Sequence, residues 1–347
     1  MKDELVTMNG WKKNRIAWLV SLIILLLSVQ SVNANKKTLA IIAAFSSPAL
    51  SSEKFYNDMD HYLRTTGKKK FRTKLLIRGE LGSDESHFYA LRRGRVQIAG
   101  VGFQSISTAV PELTILNAPY LFNSWDELEY VYEKRVKKFI NQLLARNGVI
   151  GLVHYGSTWH GIYSKQPIIS PKNAKNKRFR ALIDPSSQSF VKALQADIFQ
   201  ISGTDVVAAL QTGLIEAGET NTHVYNITGT WTEAPYFTQT QHTASIISII
   251  ANRQWFEKLS VDQQKILISS HPPMLESGRA LRADAARMLF QNSLKGVTII
   301  KLDPANLSKW QSIGLSTHRR LVDDVGGRAQ ELYDLVQFTK REYQSMQ

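Results

Sequence analysis

Apolar runs alternate with amphipathic stretches along most of the chain. Thr38 to Ala44 is almost unbroken in apolar character, the pattern of a strand buried on both faces. Ser51 and Ser52 then precede Phe55, Met59 and Leu63, spaced i, i+4, i+8, and Gly67 follows. That spacing predicts a helix with a capped start and a glycine stop. Phe71 to Ile77 reads as a second strand. Ser83, Asp84 and Glu85 open a helix with Phe88 and Leu91 inward, ended by Gly94, and Val96 to Val101 is a third strand. Ser124 with Glu127 forms a capping box. The helix behind it runs through Leu128 to Leu144 and stops at Asn147-Gly148, before a strand at Val149 to Val153.

The second half repeats this grammar. Arg178 to Ile183 is strand-like, Ser186 to Ala196 helical, and Thr204-Asp205 caps a helix stopped by Gly213. Ala244 to Ala251 is a long apolar strand, and Ser260 with Gln263 is another capping box. Met274 to Leu294 predicts one long helix, followed by a short strand at Val297 to Ile300. Helical patterns around Trp310 and after Ala329 close the chain. Strands alternating with helices predict βαβ units, a parallel-rich sheet and helices on both faces. No low-complexity linker or tandem repeat interrupts the pattern. Two lobes with the chain crossing between them are expected, with a ligand in the crevice at the strand carboxyl ends.

The N-terminus adds a compartment. Lys12, Lys13 and Arg15 precede an apolar stretch, Ile16 to Val29, that closes at Val32-Asn33-Ala34. This is the layout of a secretory signal, cut after residue 34. The apolar run is shorter than the ~20 residues that span a bilayer, which disfavours a permanent anchor. The chain of 347 residues has no cysteine, so a thiolate metal site, a cysteine nucleophile and a lipid-modified cysteine are excluded. Absence of thiols also suits an oxidising compartment.

Forty-three basic against 29 acidic residues give a formal charge of +14. The excess is dispersed. Its densest run, Lys68-Lys69-Lys70, reads as a turn, and no nucleic-acid-binding motif accompanies it. Nucleic acid is therefore not an expected partner. The chain lacks a GxSxG elbow, a P-loop, a GxGxxG turn and an HExxH pair. The nearest histidines, His154 and His160, lack helical ligand spacing, so neither a metal nor another cofactor is expected. A cleft with fixed donors and no nucleophile fits binding better than turnover. In Arg178-Phe179-Arg180 the alternation puts both arginines on one strand face, and a guanidinium there offers a planar fork to a carboxylate. Composition alone reads the same segment as a basic surface strand.

Five ordered blocks carry a resemblance. They are Gly79-Glu80-Leu81-Gly82 with Leu91 to Ile98; Val110-Pro111-Glu112-Leu113 with Ala118 to Phe122; Pro167-Ile168 to Arg180; Ala209 to Glu219; and Trp255 to Leu259 with Asp262 and Gln263. Over nearly all of the chain after residue 34 the sequence resembles the solute-binding proteins of tripartite ATP-independent periplasmic (TRAP) transporters, dicarboxylate (DctP) type.

The resemblance implies an α/β, two-lobed periplasmic binding protein with an inter-lobe ligand cleft, crossing strands and a long connecting helix. The expected division is 35–157 plus 246–282 for the first lobe and 158–245 plus 283–347 for the second. It implies a soluble periplasmic protein that captures a small organic acid by lobe closure and hands it to membrane permease subunits. The alternative is the same scaffold feeding a sensor kinase. Arg180 matches the family arginine that pairs with the ligand carboxylate.

Departures from the pattern bear on the ligand. Where the family commonly has Asn after the acidic residue, this chain has Glu219, then Thr220 and Asn221. Where many members have a second basic contact, it has Trp159-His160-Gly161, with His160 the candidate replacement and Trp159 a candidate aromatic wall. Lys175-Asn176-Lys177 also lacks the usual Gly. Phe45, Phe103, Gln104 and Tyr225 complete the candidate ligand-binding set, the first two because they lie just past strand ends.

Overall fold

The computed structural model of the chain describes residues 37–67 and 70–347. The expected signal segment at 1–34 and Lys68-Lys69 of the basic turn lie outside the described residues.

The strands are β1 (Thr38–Ala43), β2 (Phe71–Leu76), β3 (Ile98–Gly102), β4 (Val149–Ser164), β5 (Arg178–Ala181), β6 (Asp197–Gln200), β7 (Ala217–Asn221), β8 (Tyr236–Thr238), β9 (Ala244–Asn252) and β10 (Thr298–Ile300). Among the described residues they join in one sheet with the order β2-β1-β3-β9-β4-β7-β5-β6, while β8 pairs with β4 and β10. β1 runs parallel to β2 and β3, and β5 runs parallel to β6 and β7. The two crossing strands, β4 and β9, are antiparallel to their partners.

The strand expected at Val149 to Val153 is a 16-residue element. Its first part pairs with β9, and from His160 onward it pairs with β7 and then β8. Register shifts between Gly151 and Val153 and between Gly156 and Trp159 re-aim it midway, as bulges do. The apolar signal stopped at Val153 because the later residues, His154, Ser157, Thr158 and His160, are polar but buried through tertiary contacts. β6, β7 and β8 went unread for a related reason. β6 is largely exposed, β7 is Ala-Gly-Glu-Thr-Asn, and β8 has three residues.

Local signals held in part: the helix Ser51–Thr65 starts after Leu50 without a side-chain cap, and Asp205 makes no cap hydrogen bond to the helix Val206–Gln211. The helix Val261–Ile268 has its full Ser260/Gln263 capping box. Ser124 caps Glu127 N–H, but the Glu127 carboxylate accepts instead from Asn123 N–H. Gly94 and Gly148 end their helices at φ 71° and 78°, where a side chain would be strained. The helix Met274–Ser293 packs on β4, on the helix Thr222–Ile227 and on the helix Ser51–Thr65, and so links both halves.

A large core gathers β1, β3, β9 and the first part of β4 under helical residues such as Met59, Leu63, Phe88 and Leu91. Two smaller cores, around Phe179, Phe190 and Trp310 and around Tyr163, Tyr225 and Phe237, lie under the other end of the sheet. The expected division needs correction at the C-terminus. Trp310 belongs with the second half, but Leu321, Val322, Ala329, Leu332 and Val336 pack in the first core. Periodicity showed these helices to be amphipathic without showing which core they would cover.

Candidate functional site

The carboxyl ends of β1, β3, β5 and β7 converge on a cavity of about 370 Å³. Among the candidates named from the sequence, Phe45, Gln104, His160, Arg180, Thr220 and Asn221 line it. So do Asp84, Glu85 and Tyr163, which sequence reasoning passed over.

Arg180 is only 7% exposed. Its backbone is held in β5 between β6 and β7, while Phe179 beside it is fully buried in the second half's core. Nε donates to the Ile201 carbonyl at 3.1 Å and Nη1 to the Glu219 carbonyl at 3.3 Å. A guanidinium has five N–H groups, so the outer Nη edge keeps donors for a ligand. Arg178, by contrast, ends on the surface. It donates to the Gly213 carbonyl at 3.0 Å and lies 3.5 Å from the Glu216 carboxylate.

Tyr163 is 1% exposed, and its phenol oxygen has no hydrogen-bond partner. Burial pushes the phenol up to about 12, with Arg180 pulling the other way. Gly218 makes this arrangement possible. A Cβ at that position would sit 2.2 Å from the Tyr163 Oη and 3.0 Å from the Arg180 Cβ.

His160 joins the two walls. Its Nε2 is 3.2 Å from Gln104 Nε2, so Nε2 accepts and Nδ1 carries the proton when Gln104 donates. Nδ1 sits 3.7 Å from Glu219 Oε2, beyond hydrogen-bonding length. Burial pulls the His160 pKa down, opposed by Glu219, so the ring is neutral at neutral pH. Glu219 points away from the cavity. It accepts from Ser187 Oγ and lies 2.5 Å from His242 Nε2, whose Nδ1 meets Thr240 Oγ1 at 2.7 Å. His242 also stacks on Phe190 at 4.6 Å. His160, Glu219 and His242 thus bring three potential ligand atoms within 4.8 Å, a cluster the His154/His160 spacing could not reveal. A cation there would have to displace the His242–Glu219 hydrogen bond.

Four candidates move. Phe103 is fully buried in the first core, 5.5 Å from the His154 ring, because its side chain turns inward at the first residue of a helix. Tyr225 is also fully buried, donates to the Ala234 carbonyl at 2.8 Å and packs on Phe237. Trp159 lies in a second cavity with Trp125, whose ring is 4.6 Å away, while His160 lines both cavities. Glu219 is the fourth, committed to Ser187 and His242. Asn221 lines the cavity but its amide is engaged. Oδ1 caps the helix Thr222–Ile227 at Val224 N–H, and Nδ2 donates to Ser245 Oγ.

Comparison with known proteins agrees with this geometry. The DctP family, bacterial extracellular solute-binding protein family 7, matches residues 45–323. The chain is 23% identical over 263 residues to the ectoine-binding periplasmic protein TeaA of Halomonas elongata, covering 74% of this chain and 77% of TeaA. It is 26% identical over 204 residues to the uncharacterized protein YiiZ of Salmonella typhimurium, covering 58% of this chain and 62% of YiiZ. Its fold matches a TRAP periplasmic solute-binding protein from Sulfitobacter sp. NAS-14.1, solved with bound β-D-galacturonate, at TM-score 0.79 and 17% identity. That match covers 87% of this chain and 99% of the other. A match over most of its length, five motif blocks in order and a shared two-lobed fold place the chain in the DctP family of bacterial extracellular solute-binding proteins.

Proposed function

We propose that this protein is the ligand-capturing component of a TRAP-type transporter, holding a small carboxylate at Arg180 between its lobes and delivering it to membrane permease subunits. The observation that carries the reading is the buried Arg180 guanidinium. It is fixed by two carbonyls and keeps free donors beside the unpartnered Tyr163 phenol in an inter-lobe cavity. A cation anchored in this way is preorganised for a carboxylate and loses little freedom on binding. The family is a solute-binding class, and capture without turnover is the role read here. The kinase-feeding alternative gains no support from the family match or from the sugar acid bound by the Sulfitobacter protein.

Two measurements test this. A thermal-shift screen over small organic acids should raise Tm for at least one, because binding to the folded state alone stabilises it. Small-angle scattering at saturation with that acid should then show a smaller radius of gyration, as hinge closure requires. An unchanged radius at saturation would count against lobe closure.

Export to the periplasm belongs to the same reading, supported by the basic–apolar–Val-Asn-Ala layout of the first 34 residues. N-terminal sequencing of the exported protein should begin at or near Asn35. An intact N-terminus recovered from membranes would contradict cleavage.

A further inference from the structure

The carboxylate reading explains one wall of the cavity. Asp84 and Glu85, the first two residues of the helix Asp84–Arg92, line the same cavity as Arg180. Asp84 Oδ2 accepts from Gly102 N–H at 2.9 Å, and Glu85 Oε1 accepts from Ser105 Oγ at 2.9 Å. Among the described residues neither has a lysine or arginine partner. The ionic neighbour of Asp84 is His87 Nδ1 at 3.9 Å, and burial lowers the His87 pKa, leaving that ring neutral. Burial pushes the Asp84 carboxyl up to about 6, as for a carboxylate that lacks a cation. Phe45, 40% exposed, lines the same cavity. The buried, unpartnered Tyr163 phenol is an independent sign that a polar ligand completes this cavity.

Within the cavity walls two carboxylates therefore stand against one guanidinium. A plain dicarboxylate would bring its second anion towards a wall already negative, an unfavourable like-charge juxtaposition. We propose that the cleft takes a zwitterion, with its carboxylate on Arg180 and an organic cation, ammonium or amidinium, on Asp84 and Glu85 beside the Phe45 ring. An aromatic face adjoining two carboxylates suits such a cation. This assignment rests on the carboxylate reading of Arg180 and narrows its ligand class.

Size-matched probes separate the two. Calorimetric titration of the protein with 4-aminobutyrate against succinate, and with 6-aminohexanoate against adipate, compares a cation with an anion at the far end. We expect the amino acid of at least one pair to bind ten times more tightly than its diacid. The double variant Asp84→Asn/Glu85→Gln should lose that preference, with Glu85→Gln alone as a milder variant should the double fail to fold. Diacids binding as tightly as the amino acids, or neither pair being discriminated, would overturn the zwitterion assignment. If the diacid binding then seen is lost in Arg180→Ala, the carboxylate reading still stands. Zwitterion binding that survives Arg180→Ala would instead overturn the carboxylate reading itself.

Discussion

Replacing Arg180 by alanine is expected to weaken binding of the acid by roughly thirtyfold or more. Losing one member of a buried charge pair costs about 2–5 kcal/mol, because the remaining carboxylate is desolvated and unpaired. The lower end of that range corresponds to a factor of about thirty in Kd. Arg180→Lys should recover only part of the loss. An ammonium keeps the charge but cannot hold the Ile201 and Glu219 carbonyls and still present two parallel donors. Arg178→Ala is the matched control, since that side chain is spent on Gly213 and Glu216 at the surface. Titration calorimetry on the three variants, with circular dichroism to verify folding, decides the matter. Wild-type affinity in a folded Arg180→Ala protein would sink the carboxylate clamp.

The second large effect falls on stability. Glu219 is 2% exposed and joins Ser187 of one helix to His242 of a loop. Burial pushes its carboxyl up, but the hydrogen bond and attraction from the His242 ring at 2.5 Å outweigh this and hold it well below the usual range. A carboxyl whose folded pKa is depressed contributes stability that is present above its unfolded pKa. That stability is lost as pH falls through the folded value. The wild type should therefore lose this contribution as pH drops below about 4.5, the ordinary value for glutamate. Glu219→Ala should lose it at neutral pH, together with the partners of Ser187 and His242. Breaking such a buried pair costs about 3–5 kcal/mol. Urea unfolding at pH 7 and pH 4 tests both parts. The expected result is a large gap between wild type and variant at pH 7 that narrows at acid pH. A gap that widened on acidification would contradict the sign.

These two residues show how differently parts of one site were legible. Arg180 could be singled out as a candidate because a short alternation and a motif block coincide there, and β5 carries it to the cavity. Glu219 lies in an equally clear block, yet its role was misread. The motif marks a position without saying which side of β7 the carboxylate takes. Its partner His242 lies in the connection before β9 and has no local signal.

Segmentation, the α/β class, the long helix Met274–Ser293 and the guanidinium at Arg180 were determined by the sequence alone. Each rests on interactions between residues close in the chain or on a block of fixed spacing. Tertiary structure decided what those elements meet. It carried β4 past Val153 across the molecule, because polar residues such as Ser157 and Thr158 are buried there by distant partners. It sent Phe103 and Tyr225 into the cores and Trp159 to a second cavity, since an aromatic near a strand end suits a pocket or a core equally well. It drew the last two helices onto the first core, since an amphipathic stripe shows that a face must be covered but not by what. It also placed Asp84 and Glu85, which in sequence open a helix like many other acidic pairs, in the lining of the same cavity as Arg180. Residues almost a hundred positions apart share that cavity only because β1, β3, β5 and β7 end on it, and no local pattern encodes such a meeting.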